Sequence, residues 1–164
     1  MYNGIMTKKI LIIGGFIILL LVSLVYIYPR LTQPPKPTEL GDVAITLERT
    51  ACFGQCPAYK LTIFGEGKVV YEGTSFVNAT GTQASQISQD KIKELVGEFY
   101  QIGYFALKDK YDAPITDLPT TITSITLGGR TKKVVNYHGA PKKLVELENK
   151  IDKITDSKKW VEGE

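Results

Sequence analysis

The chain has 164 residues, of which 43% are hydrophobic, and it carries a formal net charge of +3, two cysteines and one histidine. Four basic residues and one acidic residue precede residue 42, so the remainder of the chain holds 16 basic and 16 acidic residues. A neutral, mixed surface lacks the basic face that nucleic acids require, which argues against nucleic acid or another polyanion as a partner.

Residues 10–28, ILIIGGFIILLLVSLVYIY, contain no charged side chain. At about 1.5 Å per residue, a helix of this length spans the roughly 30 Å hydrocarbon core of a bilayer. The run is longer than the apolar region of a secretory signal peptide, and no small-x-small cleavage site follows it. The sequence therefore predicts an uncleaved signal anchor with a transmembrane helix.

The basic residues around this span predict its orientation. Lys8 and Lys9 precede it and Arg30 follows it. Because positive charge favours the cytoplasmic side, residues 1–9 are expected in the cytoplasm and the rest of the chain outside. We therefore expect a single-pass protein of the cell membrane, attached to the bilayer by its N-terminal helix.

An extended linker is predicted over residues 29–41, which contain four prolines between Pro29 and Pro37. Residues 42–164 have the usual length of one domain with one core. The sequence shows no internal repeat there.

Three segments of this domain have the pattern of β-strands. Val43, Ile45 and Leu47 alternate with polar residues, which predicts a first strand over residues 42–50. Residues 59–73 predict a hairpin that turns at Gly65–Gly67, and residues 120–139 predict a second hairpin that turns at Gly128 and Gly129.

Two helices complete the predicted domain. The first has Ser88 as its N-cap, Ile87 positioned to contact Ile92, and Gly103 at its end. The second begins at Pro141. The resulting order, β-β-β-α-β-β-α, predicts an α+β domain with an antiparallel sheet and helices packed on one face.

The two cysteines occur in TACFGQCPAYK, residues 50–60. This spacing is compatible with a disulfide, a metal clamp or a redox pair. An isolated pair in an exported domain favours a disulfide, and Gly54 lets the short loop between Cys52 and Cys56 fold back. Pro57 leads into a strand, so the helix N-terminus that lowers the pKa of catalytic thiols is missing.

A soft metal site is the alternative interpretation of the cysteines. Two thiolates and the imidazole of His138 suit copper or zinc. The arrangement is similar to membrane-anchored copper chaperones of the Sco type, which combine an N-terminal anchor, a C-x-x-x-C-P run and a distant histidine. Those proteins have a thioredoxin fold in which the cysteine loop leads into a helix, and this sequence departs from that pattern.

A second polar segment, KYDAPITDLPTT, spans residues 110–121. Asp112, Thr116 and Asp117 offer oxygens suited to calcium, but their spacing is wider than a calcium loop needs and favours turn capping. Asn78 begins an N-x-T glycosylation acceptor sequence.

Three strings carry a resemblance to a known family. ITLERTACFGQCPAYKLTIFGEGKVVYEG, ALKDKYDAPITDLPTTITSITLGG and VVNYHGAPKKLVELENKID resemble a prokaryotic family catalogued as domain of unknown function 6438, from about Val43 to Trp160. The resemblance implies one intact domain that is often exported, and it supplies no chemistry. The residues at the family's motif positions are Cys52, Phe53, Gly54, Cys56, Pro57, Tyr59, Thr116, Asp117, Pro119 and Pro141.

Two hypotheses follow. The first is a non-enzymatic binding module outside the membrane, without a cofactor, that contacts an extracytoplasmic ligand or protein. Its predicted binding surface consists of Phe53, Gly54, Pro57, Tyr59, Thr116, Asp117, Pro119 and His138. The rival is a copper-binding or thiol-redox protein that uses Cys52, Cys56 and His138. A single histidine and the lack of G-x-S-x-G and H-E-x-x-H motifs argue against an enzyme.

Overall fold

The computed structural model describes residues 12–24 and 33–163. The chain divides into two compact units, residues 1–34 and residues 35–164. In the first unit, residues 12–24 form helix α1. The large apolar side chains of α1 are exposed: Ile12, Ile13, Phe16, Ile17, Ile18, Leu19, Leu20, Leu21, Val22 and Leu24.

Within the described ranges, no helix is both long enough and apolar enough to cross a membrane. The predicted span of residues 10–28 extends past α1 at both ends, into residues 10–11 and 25–28, which lie outside the described residues. The predicted cytoplasmic residues 1–9 also lie outside them. The transmembrane helix therefore stays a prediction.

The second unit is built on one seven-stranded sheet with the strand order β4-β3-β2-β1-β6-β7-β5. The strands are β1 Ala44–Arg49, β2 Ala58–Phe64, β3 Lys68–Ser75, β4 Gly81–Gln86, β5 Lys110–Tyr111, β6 Thr121–Leu127 and β7 Arg130–Asn136. All neighbours pair antiparallel except β5 and β7, which are parallel. The class is α+β, as the sequence predicts.

The second predicted hairpin forms as expected, from β6 and β7. Leu127 pairs with Arg130, and Gly128 and Gly129 between them have φ values of 53° and 75°. A two-residue turn with positive φ at both positions matches the twist of the flanking strands and favours glycine at both.

Helix α2, Gln89–Gln101, is also as predicted. The Ser88 hydroxyl accepts a hydrogen bond from the Lys91 amide, and Gly103 follows the helix with a φ of 67°. A 3-10 turn, Tyr104–Ala106, then precedes β5.

Helix α3 spans Lys142–Thr155, and a short helix α4 spans Lys158–Val161. Pro141 is the N-cap of α3 and not its first helical residue, so the prediction is displaced by one position. Leu144, Leu147 and Ile151 of α3 are buried.

One core joins the sheet to the helices. The buried strand residues and the apolar faces of α2 and α3 belong to a single cluster, so both helices pack on the same face of the sheet. Tyr104 is fully buried in this cluster, and its hydroxyl donates to the Thr123 carbonyl at 2.6 Å. On the opposite face, the hydroxyls of Thr46 and Ser124 lie 2.6 Å apart across two strands.

Two strands were not predicted as separate elements. Residues 81–86 form β4, for which the sequence predicts no strand. The turn at residues 76–80 reverses the chain because Phe76 and Gly81 adopt positive φ. Lys110 and Tyr111 form β5, which is too short to show an alternating pattern and makes the sheet mixed, not purely antiparallel.

The end of the predicted linker packs on the domain. The Tyr100 hydroxyl donates to the Pro35 carbonyl at 2.8 Å, and Leu40 lies against the core. The Leu40 carbonyl accepts from the Val43 amide and crosses closely over Gly65, where a Cβ atom would lie 1.5 Å from the Leu40 oxygen. Only glycine fits at position 65.

Replacing Gly65 with alanine is expected to lower the free energy of unfolding by about 1–3 kcal/mol, because the backbone at Leu40 must move. Gly97→Ala in α2 is the control, since its Cβ meets nothing closer than the Lys36 Nζ at 4.0 Å. That change should raise stability by about 0.5–1 kcal/mol through helix propensity. Denaturant unfolding of the full-length variants measures both, and wild-type stability in Gly65→Ala would contradict the packing of Leu40.

Candidate functional site

A disulfide closes the loop between β1 and β2. Cys52 and Cys56 are bonded, with their Cα atoms 5.6 Å apart, and no described cysteine is free. A ring this short stabilises the folded chain by about 2 kcal/mol in the chain-entropy model. Phe53 is one of the three residues between the bonded cysteines, and it is 89% exposed. The loop is therefore constrained, yet it presents an aromatic ring to solvent.

A second loop lies directly beside the disulfide loop. The Thr50 amide donates to the Thr120 carbonyl at 3.0 Å, and the Thr120 amide donates to the Thr50 hydroxyl at 2.9 Å. These contacts continue the pairing of β1 with β6 by one residue beyond Arg49 and Thr121. Residues 112–119, which contain TDLP, therefore emerge from the same end of the sheet as residues 51–57.

Hydrogen bonds also hold the TDLP loop in place. The Tyr137 hydroxyl donates to the Ile115 carbonyl at 2.6 Å and accepts from the Leu118 amide at 3.4 Å. The Thr116 hydroxyl donates to the Asp117 carboxylate at 2.9 Å, and Asp117 has a φ of 73°. Aspartate tolerates this left-handed conformation better than most residues.

Three of the connections at this end of the sheet are joined by these hydrogen bonds, and we call them the loop end: residues 50–57, residues 112–120 and residues 137–141. Tyr137 and His138 follow β7, and Tyr137 ties the third connection to the second. His138 is exposed, and its amide donates to the Tyr111 carbonyl at 3.4 Å. The loop end brings together the three segments that carry most of the predicted surface residues.

A charged network lies beneath the disulfide loop. The Nε and Nη2 atoms of Arg49 lie 2.9 Å and 2.7 Å from the Asp152 Oδ2 atom. The hydroxyls of Tyr59 and Ser157 each donate to the Asp152 Oδ1 atom at 2.7 Å. One carboxylate of α3 thus accepts four hydrogen bonds, three of which come from the two strands that flank the loop.

The predicted surface residue Tyr59 belongs to this network and not to the surface. Its side chain is 5% exposed, because β2 turns it toward α3. Burial and the neighbouring Asp152 carboxylate raise the pKa of Tyr59, and it therefore remains a neutral hydrogen-bond donor. Phe53, Gly54, Pro57, Thr116, Asp117, Pro119 and His138 are exposed.

Glu148 of α3 is a buried carboxyl group that was not predicted from the sequence. It is 2% exposed, and the Asn136 Nδ2 atom lies 2.9 Å and 3.2 Å from its two oxygens. Burial raises its pKa to about 7, and the Asn136 hydrogen bond only partly opposes that shift. The sequence feature that could have predicted its burial is its position four residues after Leu144, on the apolar stripe of the helix.

A groove of about 530 Å³ lies beside the disulfide loop on the open face of the sheet. Glu48, Lys60 and Glu72 follow one another across β1, β2 and β3 along its wall. Lys60 thus lies between two acidic neighbours, which attract it across the strands, and the row as a whole carries one net negative charge.

The described residues contain no group of three histidine, cysteine, aspartate or glutamate residues placed to hold a metal ion. Asp112, for which the sequence favours turn capping over calcium, forms an ion pair with Lys110, while Asp117 accepts from Thr116. Cys52 and Cys56 are oxidised, so they would have to be reduced before they could supply thiolates with His138. The copper hypothesis stays a prediction.

The stability contribution of Glu148 should depend on pH. Its folded pKa of about 7 lies above its ordinary value of 4.5, so the folded state holds a proton that the unfolded state releases between these values. Stability therefore falls as pH rises through this window. We expect Glu148→Gln to raise the melting temperature relative to wild type by an amount that grows from pH 4.5 to pH 7 and then levels off.

Glu146→Gln on the same helix is the matched control, because Glu146 is exposed in its pair with Lys142. Thermal unfolding at several pH values should show no comparable trend for it. A pH-independent difference between Glu148→Gln and wild type would show that Glu148 is not buried as a neutral acid.

Comparison with known proteins supports one assignment. No curated protein matches the chain. The family model DUF6438, a domain of unknown function, matches residues 43–155, which include all seven strands and all of α2 and α3. The matched region also holds the disulfide loop, the TDLP loop, Asp152 and Glu148. The chain therefore belongs to the DUF6438 family.

Proposed function

We propose that this protein is a membrane-anchored, extracytoplasmic interaction module that binds another protein through its loop end, without catalysis. One observation carries the proposal. In residues 35–163, five large hydrophobic side chains are exposed, and three of them, Phe53, Ile115 and Leu118, lie on the disulfide and TDLP loops. Exposed apolar side chains gathered in one region mark interaction sites, whereas scattered ones need no explanation.

The loop end also has the rigidity that tight binding favours. The disulfide constrains residues 52–56, and the bonds between Thr50 and Thr120 join the two loops. Binding therefore orders few additional residues, which lowers the entropic cost of association. Aromatic side chains such as Phe53 frequently contribute most of the binding energy at protein interfaces.

The most perturbed carboxyl group supports a role other than catalysis. Glu148 is 2% exposed, and the nearby Tyr104 is fully buried, so neither group is accessible to a substrate.

The proposed location rests on α1 and on the disulfide. The large side chains of residues 12–24 are apolar and exposed, which suits a helix surrounded by lipid. Disulfides persist in oxidising compartments and are rare in the cytosol, so the Cys52–Cys56 bond supports a domain outside the membrane. Lys8 and Lys9 before the helix favour a cytoplasmic N-terminus.

Protease added to intact cells should therefore remove residues 42–164 and leave the N-terminal segment protected. The measurement is immunoblotting of tags at both ends of the full-length chain, with a cytoplasmic protein as the control for intact membranes. Protection of the whole chain until the cells are lysed would reverse the proposed location.

Photo-cross-linking tests the loop end. A benzophenone-bearing amino acid in place of Phe53 should give a discrete protein adduct in intact cells, because that side chain would lie in the interface. The same amino acid in place of Val145 is the control, since Val145 is 40% exposed but lies on α3. Equal adducts at both positions, or none at Phe53, would contradict binding through the loop end.

A further inference from the structure

Strand β4 is an unusually accessible edge of the sheet. It is the first strand in the order β4-β3-β2-β1-β6-β7-β5 and pairs only with β3 among the described strands. Its sequence, GTQASQ, contains no charged residue and no proline, and five of its six residues are exposed. An edge strand offers unpaired backbone N–H and C=O groups to any other strand that approaches it.

The opposite edge is protected in ways that β4 is not. There β5 has only two residues, and the part of β7 that it leaves unpaired carries Arg130, Lys132 and Lys133. The Lys132 side chain also donates to the Leu107 carbonyl at 2.8 Å, which brings the chain before β5 against this edge. Short strands and basic side chains are common protections against edge-to-edge pairing.

The backbone of β4 is regular enough to accept a partner. All six of its residues pair with β3, from Gly81 opposite Gly73 to Gln86 opposite Lys68, without a shift of register. No bulge turns the strand away from the sheet. In an antiparallel ladder, alternate residues direct their N–H and C=O groups outward, so every second residue of β4 can bond a new strand.

We propose that β4 binds a second copy of this chain, with the two β4 strands antiparallel about a two-fold axis, so that the two seven-stranded sheets become continuous. This surface is separate from the loop end, because β4 lies three strands away from β1. The dimer therefore goes beyond the proposed function.

The side chains of β4 favour its own copy as the partner. Thr82 and Gln83 are exposed and each carries both a donor and an acceptor, so each can pair with the same residue types on a copy. The strand has no charge to attract an oppositely charged peptide and none to repel its copy. Ala84, near the centre, allows the two strands to approach closely. An isologous interface requires this kind of self-complementarity.

The length of β4 sets the expected strength. Six residues on each side are far fewer than the roughly 20–30 per side of a standard stable interface. The dimer should therefore dissociate at low concentration. Attachment of both copies to one membrane, as proposed above, would raise their effective concentration and favour pairing.

Light scattering of the full-length chain in a mild detergent over a concentration series tests the proposal. We expect reversible dimerisation with a midpoint of about 10 μM to 1 mM. Ala84→Lys should raise that midpoint at least tenfold, because it places two positive charges close together across the axis. Thr131→Lys, on an exposed position of β7, should leave it within about twofold.

Cysteine cross-linking locates the interface independently. Cys52 and Cys56 are already bonded to each other, so a single added thiol reports on its own position. Gln83→Cys or Ala84→Cys should form an intermolecular disulfide on mild oxidation, while Thr131→Cys should not.

A chain that stays monomeric up to about 1 mM would overturn the proposal. Equal cross-linking at Thr131→Cys and at β4, or a dimer that Ala84→Lys leaves unchanged, would also overturn it. The last result would place self-association in another part of the chain, since every variant retains residues 1–34. The photo-cross-linking at Phe53 is unaffected by any of these outcomes.

Discussion

The ion pair between Arg49 and Asp152 is the contact on which the loop end depends. Arg49 is the last residue of β1 and Asp152 lies on α3, 103 residues later in the chain. Their side chains are 25% and 20% exposed, so the pair is partly desolvated and gains most when every oxygen has a partner. Tyr59 and Ser157 supply the remaining donors to the carboxylate. The base of the disulfide loop is thereby fixed to the helix layer as well as to its own sheet.

The sequence predicted the elements whose signals are local. Alternating apolar residues located β1, paired glycines located the turn between β6 and β7, and Ser88 located the start of α2. It missed β4 because GTQASQ has no apolar alternation; its place in the sheet comes from pairing with β3. It missed β5 because two residues carry no periodicity; the place of β5 in the sheet comes from its parallel pairing with β7.

The segments that form the candidate site were predictable from the sequence, but the contacts between them and the burial of Tyr59 were not. The sequence identified the cysteine and TDLP segments. Their contact through Thr50 and Thr120 depends on β1 and β6 being neighbours in the sheet, which the sequence did not predict. Tyr59 was included in the predicted surface because it occupies one of the family's motif positions. Its alternation with Leu61 and Ile63 carried the opposite signal, since residues two apart on a strand share a face and both of these are buried.

The strand order separates the two proposed interaction surfaces. The loop end is formed mainly where β1 ends and β6 begins. These two strands lie near the middle of the sheet, whereas β4 is at its edge. A protein bound at Phe53 and a second copy bound along β4 would therefore contact different boundaries of the same sheet.

Burial of the central strands under α2 and α3 makes the loop end rigid. The uncharged edge keeps the hydrogen-bonding capacity that the central strands have already used. The same sheet can thus support a fixed, aromatic contact at its end and a weaker, backbone-mediated contact at its side, and neither needs the fold to change.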